Sequence, residues 1–159
     1  MFDSTRRLLY SIMNPKLLIF ILNSYPPYIG AGIRVQHISK DYREVIVSMK
    51  LRWYNRNYVG THFGGSLSAM TDPFFMLMLI NILGSEYIVW DQAASIKFIR
   101  PGHGRVVARF HLSQAQLDEL YARTQGGAVY RPEFSVDIID EEGEVVAQVK
   151  KQEYIRKKV

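Results

Sequence analysis

Asn57-Tyr58-Val59-Gly60-Thr61-His62-Phe63-Gly64-Gly65-Ser66-Leu67-Ser68-Ala69-Met70-Thr71-Asp72 holds an amide side chain, a glycine pair, the opening of an apolar helix and a lone carboxylate in one continuous segment. If Gly64 opens the helix, its N–H and those just after it have no intrahelical acceptor. They then carry the positive end of the helix dipole, an arrangement suited to holding an oxyanion. The apolar run continues through Phe74, Phe75, Met78, Leu79 and Leu83 around nearly the whole circumference, so the helix is expected to be buried on most sides, with Gly84 ending it. A helix of that kind calls for a curved antiparallel sheet wrapped around it.

The flanking sequence supplies such a sheet. Residues 87–99 read as a long strand, Ala94, Ile96 and Phe98 alternating with Ser95 and Lys97; Pro101-Gly102-His103-Gly104 turns the chain and residues 105–112 return it. Residues 113–123 form a short capped helix ended by Gly126-Gly127. Two further strands, 130–139 and 145–154, flank the hairpin turn Asp140-Glu141-Glu142-Gly143. On the N-terminal side, residues 33–38 and 45–49 form a hairpin across Lys40-Asp41. Residues 23–32, with two prolines and two glycines, read as a linker. Before it comes an amphipathic helical arm in two pieces, Ser4 capping the first and Asn14-Pro15 opening the second. The reading is α+β, with a helical arm and linker over residues 1–29 and a sheet-and-helix domain over residues 30–159.

Composition narrows the function. A length of 159 residues fits one domain, and the absence of cysteine removes disulfides, thiolate nucleophiles and Cys-based metal sites. His37, His103 and His111 are scattered without ligand spacing, so no metal is expected. The net charge of +5 is accompanied by a basic run over residues 150–158. That run suits a polyanion, an acidic membrane surface or coenzyme A phosphates, and equally a solvated strand end with a frayed tail. No RNA-binding aromatic signature, zinc finger or helix-turn-helix accompanies it, and nucleic acid is not an expected partner. Arg6-Arg7 followed by the apolar residues 17–22 imitates a signal sequence. Pro15-Lys16 interrupts it, the run is too short to span a bilayer, and Tyr25-Pro26-Pro27-Tyr28 offers no cleavage site. The expected location is cytoplasmic, with a membrane-surface arm as the lesser reading.

The central motif resembles that of the PaaI-like acyl-CoA thioesterases of the hotdog-fold superfamily: Asn, then Gly, then His-Gly-Gly, with an acid nine positions after the His. Asn57, Gly60, Gly64, Gly65 and Asp72 fall on those positions, and Phe63 stands where that group has His. The likeness, over roughly residues 30–155, is greatest to a divergent hotdog branch, the DUF4442 group, in which Phe at that site is common. It implies a hotdog fold, a homodimer or a dimer of dimers, an acyl-CoA substrate and no separate cofactor. It also implies a division of roles. The Gly64 N–H polarises the thioester carbonyl, Asn57 orients water or substrate, and Asp72 of the second subunit is the base or nucleophile. One chain cannot do both, since about 12 Å of helix separates Gly64 from Asp72.

Other readings stand beside these. Asp72-Pro73 is also the dipeptide expected at a helix cap, and Gly64-Gly65 also suits close packing. Phe63 and Gly65 border the expected acyl site. His62 either polarises a carbonyl or is a packed, hydrogen-bonded residue, and Asp91 is a candidate for orienting water. Lys97 and Arg100 either bind coenzyme A phosphates or are solvated. The alternative functions are a non-catalytic acyl-CoA or fatty-acyl binding module and, on the same fold, an acyl-CoA hydratase or dehydratase, which would need a histidine beside the carboxylate.

Overall fold

The computed structural model describes residues 13–159, so Ser4, Arg6-Arg7 and the first helical piece lie outside the described residues. Asn14 caps α1 (Pro15–Asn23), its side-chain oxygen accepting the Lys16 N–H at 2.9 Å. Pro15 occupies the first helical position, where no N–H is required. The expected linker is instead largely helical. Pro26 and Pro27 fill the first turn of α2 (Pro26–Ala31), where prolines are tolerated, and Gly32 ends it at φ 75°.

β1 (Ile33–Ile38) and β2 (Glu44–Lys50) form the expected antiparallel hairpin. The central helix is broken, into α3 (Gly64–Ala69) and α4 (Phe74–Leu83). Pro73 accounts for the break, since it has no N–H to continue the ladder and disfavours helical geometry at Asp72. β3 (Tyr87–Phe98), β4 (Arg105–His111), α5 (Gln114–Arg123), β5 (Val129–Tyr130), β6 (Glu133–Ile139) and β7 (Val145–Lys157) follow. Ser113 and Gln116 form a capping box at the start of α5.

The sheet order is β1-β2-β4-β6-β7-β3, with β5 pairing β7. β4 therefore returns from β3 without pairing with it. It lies beside β2, and β3 pairs along its length with β7. Alternation in sequence gave the strands but not these partners, because it reports which face is buried and not which strand lies alongside.

No residue of α4 is exposed. Phe75 stacks on Phe134 with ring centroids 5.0 Å apart, and Phe74 meets Phe110 at 5.1 Å. By length and composition, Gly64–Glu86 is apolar enough to cross a membrane. Here the curved sheet supplies the apolar surroundings that this stretch requires. Leu18 of α1 and Tyr28 of α2 belong to the same core, so both helices are packed onto the domain.

The two outer strands differ. At β1 the Asn23 amide donates to the Val35 carbonyl at 3.0 Å and its oxygen accepts the Val35 N–H at 2.8 Å, so a side chain occupies the outward backbone groups at the middle of that edge. At β3 no strand pairs with the outer edge among the described residues, and residues 92–95 and 97–98 are exposed.

Candidate functional site

The segment from residue 51 to residue 63 is organised by two asparagines. Asn55 is buried; its amide donates to the Ala31 and Lys50 carbonyls, and its oxygen accepts the Arg52 N–H. Asn57 donates to Thr61 Oγ1 at 2.8 Å and the His62 carbonyl at 3.2 Å, while its oxygen accepts the Val59 and Thr61 N–H groups. Both amide protons and both lone pairs of Asn57 are thus used within its own turn, which leaves none for water or substrate.

His62 is buried, with Nε2 3.1 Å from the Gly104 carbonyl; to bond there Nε2 must carry the proton. Burial pulls its pKa below the ordinary value, against a smaller opposing effect of the Gly104 hydrogen bond. The ring is therefore a neutral pin between the segment and the β3–β4 turn, which is the packed reading of this residue. A Cβ at Gly102 would lie 2.9 Å from Val146 Cγ1 and 3.2 Å from His62 Cδ2, both on buried side chains. Gly102→Ala is accordingly expected to destabilise the fold by about 1–3 kcal/mol through overpacking. Urea denaturation reads this as a lower midpoint at unchanged slope, and an unchanged midpoint would contradict it.

α3 begins where the sequence places it. The Phe63 carbonyl accepts the Ser66 and Leu67 N–H groups, and those of Gly64 and Gly65 have no acceptor among the described residues. The Phe63 ring, 56% exposed, folds over Gly65, where a Cβ would come within 2.5 Å of it; the Phe98 ring lies 3.0 Å from a Cβ built at Gly64. The glycines thus admit two aromatic rings against the backbone that bears the free N–H groups. Because the helix ends at Ala69, the dipole behind Gly64 is that of six residues. What the position offers is mainly its unpaired donors.

At the break between α3 and α4, Asp72 caps nothing. Pro73 holds the cap position of α4, with no side-chain cap bond, and Asp72 Oδ1 lies 2.7 Å from Lys151 Nζ. The Tyr28 hydroxyl donates to the Asp72 carbonyl, and burial, followed by the Asp72 charge, pushes the Tyr28 pKa well above its ordinary value. Lys151 Nζ also lies 3.4 Å from Asp91 Oδ1, so one ammonium joins the two carboxylates singled out in the sequence.

Sequence reasoning missed the other half of this cluster. Lys151 and Glu153 are 4% and 0% exposed; they point inward from β7 in step with Val149 and Ile155. The basic run read as a solvated strand end with a frayed tail is ordered strand to Lys157. The available signal was the alternation itself: two charged residues at core-facing positions of a strand.

Burial is the largest influence on Lys151 and lowers its pKa. The Asp72 hydrogen bond and the charges of Asp91 and Asp72 outweigh burial and leave the pKa raised, so the lysine is charged. Glu153 goes the other way. Burial first, then the neighbouring Asp91 carboxylate, raise its carboxyl to about 9 against the opposing pull of Lys151. Asp91 and Glu153 face each other in the β3–β7 register, although by strict geometry Asp91 Oδ1 and both Glu153 oxygens lack hydrogen-bond partners. A protonated Glu153 donating to Asp91 resolves this: a buried oxygen gains a partner and one negative charge remains for Lys151.

The remaining candidates lie apart. Lys97 is exposed on β3. Arg100 is engaged by Asp140, with Glu144 at 3.8 Å, and so is tied to the β6–β7 turn. Among the described residues no group of three or more His, Cys, Asp or Glu could hold a metal ion.

The family model for the domain of unknown function DUF4442 matches residues 16–155. The chain belongs to the DUF4442 family. Since the match begins at residue 16, most of α1 lies inside the family's own extent. Among solved structures, a protein of unknown function described as a probable thioesterase, from Pseudomonas aeruginosa, superposes with a TM-score of 0.70 at 18% identity, covering 98% of this chain and 97% of that one. A thioesterase from Haemophilus influenzae gives 0.66 at 16% identity, with coverages of 91% and 92%. A mutant of the phenylacetic acid degradation protein PaaI from Thermus thermophilus gives 0.57 at 23% identity, with coverages of 82% and 98%. At these identities they establish that this DUF4442 chain has the hotdog fold. No curated protein matches it.

Proposed function

We propose that this chain is a cytoplasmic acyl-CoA thioesterase that works as a homodimer, with a dimer of dimers as a further assembly. The observation that carries the reading is Asp72: a carboxylate with a 58% exposed side chain, at a break in the central helix, held by a buried lysine that also contacts Asp91. A structural ion pair does not need this exposure on one side and this burial on the other. The thioester carbonyl oxygen would accept the Gly64 and Gly65 N–H groups of one subunit. Asp72 of the other would take a proton from the attacking water, and the collapsing intermediate would release the acid and the thiol. Phe63 and Phe98, both exposed beside Gly64, offer the acyl chain an apolar wall. The open β3 edge is where a second copy would align. No separate cofactor is required.

Two observations favour the acyl-binding alternative: Asp72 Oδ1 is already paired with Lys151, and Asn57 has no free group. The hydratase reading loses support, since the ring of His62 faces Gly104.

Thiol release from short, long and aryl acyl-CoAs, measured for wild type and Asp72→Asn with binding followed by calorimetry, decides between them. Hydrolysis should fall by about 10²–10⁴-fold in the variant while acyl-CoA binding persists. Binding without turnover by either protein would leave the binding module.

A further inference from the structure

A second concave surface lies on the outer face of the sheet, away from α4. Arg34 of β1, Lys50 at the end of β2 and Arg105 at the start of β4 line it, joined by Arg52 and Tyr54 from the segment after β2. It encloses about 440 Å³, and its lining contains four cations and no carboxylate. Among the described residues none of the four is in an ion pair. Arg34 Nη1 donates to the Asn23 carbonyl at 3.1 Å, and the neighbouring Glu141 accepts the Arg105 backbone N–H at 3.4 Å.

This arrangement costs the free protein stability. Lys50 and Arg105 stand directly opposite each other in the β2–β4 ladder, and like charges so placed repel. Between the strands, Gln36 Nε2 donates to Ser48 Oγ at 2.8 Å, which leaves the Ser48 hydroxyl proton to be given elsewhere. Guanidinium forks, an ammonium and a hydroxyl donor around a hollow form a set rich in donors with no carboxylate among them. The exposed Tyr54 ring, edge-on to Trp53 at 5.6 Å, adds a flat wall.

We propose that this groove binds a ligand with clustered phosphates, its phosphoryl oxygens on Arg34, Lys50 and Arg105 and an attached ring on Tyr54. A phosphate carries about −1.5 to −2 charge, so two or three of them balance the four cations. A free nucleotide and the nucleotide end of coenzyme A share this chemistry. The groove and Gly64–Asp72 use opposite faces of the sheet, so this site holds whether or not the chain hydrolyses thioesters.

Calorimetric titration of the full chain at low ionic strength with pyrophosphate, ATP and coenzyme A tests the site. Pyrophosphate and ATP should bind, more weakly as salt is added, and at least about tenfold more weakly to an Arg34→Gln/Arg105→Gln double variant. The variant relieves a like-charge contact and should melt no lower than wild type; Lys50→Gln replaces it if it does not fold. Competition between ATP and coenzyme A would assign the groove to both sources, and independent binding would assign it to free nucleotides. The proposal is overturned if pyrophosphate and ATP fail to bind, if the variant binds them equally well, or if only anionic lipid vesicles bind.

Discussion

Lys151→Met is expected to lower the melting temperature by roughly 10 °C, the largest loss foreseen for any single substitution outside the aromatic core. The side chain is buried, and its ammonium is the cation facing Asp72, Asp91 and the Glu153 pocket. Removing it leaves Asp91 half-buried beside Glu153 with nothing to balance its charge. Taking one partner from a buried ion pair costs about 3–5 kcal/mol, because the other is left desolvated. The neighbouring Lys150 is the control. It also makes a short ion pair, 2.8 Å to Glu133, but both side chains are more than half exposed, and Lys150→Met should leave the melting temperature nearly unchanged. Melting curves of both variants at pH 7 test this, and equal effects of the two substitutions would dissolve the cluster as an energetic unit.

The second large effect is a pH dependence with an unusual sign. Glu153 keeps its proton to about pH 9 in the folded chain, whereas its ordinary value is 4.5. Between those values the folded state binds a proton that the unfolded chain has released. Stability from this group is therefore complete below about pH 4.5, declines as pH rises through the window, and is lost above about pH 9. Most buried carboxylates with a cationic partner do the reverse. Glu153→Gln, which keeps the shape and stays neutral, should remove this slope, so that the variant gains on wild type between pH 5 and pH 9. Parallel melting-temperature profiles for the two proteins would mean that Glu153 is ionised in the fold.

Both effects arise from residues that sequence reading placed wrongly, and the reason is physical. The apolar periodicity after Gly64 announced a buried helix, and the cap and turn residues located nearly every element, because those signals are local. Pairing is not local. Nothing in residues 87–112 says that β3 crosses to β7 while β4 joins β2. Charged residues are read as solvated by default, and Lys151 and Glu153 break that default because each is compensated by a group from another element. Asp72 and Asp91 were visible as candidates, but their meeting at one lysine depends on the helix break and on the β3–β7 register together. Asn57 shows the opposite failure. Its spacing fits the family motif, and its hydrogen bonds serve only its own turn.

The Asn23 side chain that occupies the Val35 backbone groups has a consequence for crowding and solubility. A sheet with two open edges can add copies without limit, which is how fibrous aggregates grow. Here the Val35 groups of one outer strand are already taken from within the chain, whereas no strand pairs with the outer edge of β3 among the described residues, so strand-to-strand association is directed to β3. In a chain that exposes a long strand and several aromatic rings, a single amide on the far side of the sheet thereby works against growth from both edges at once.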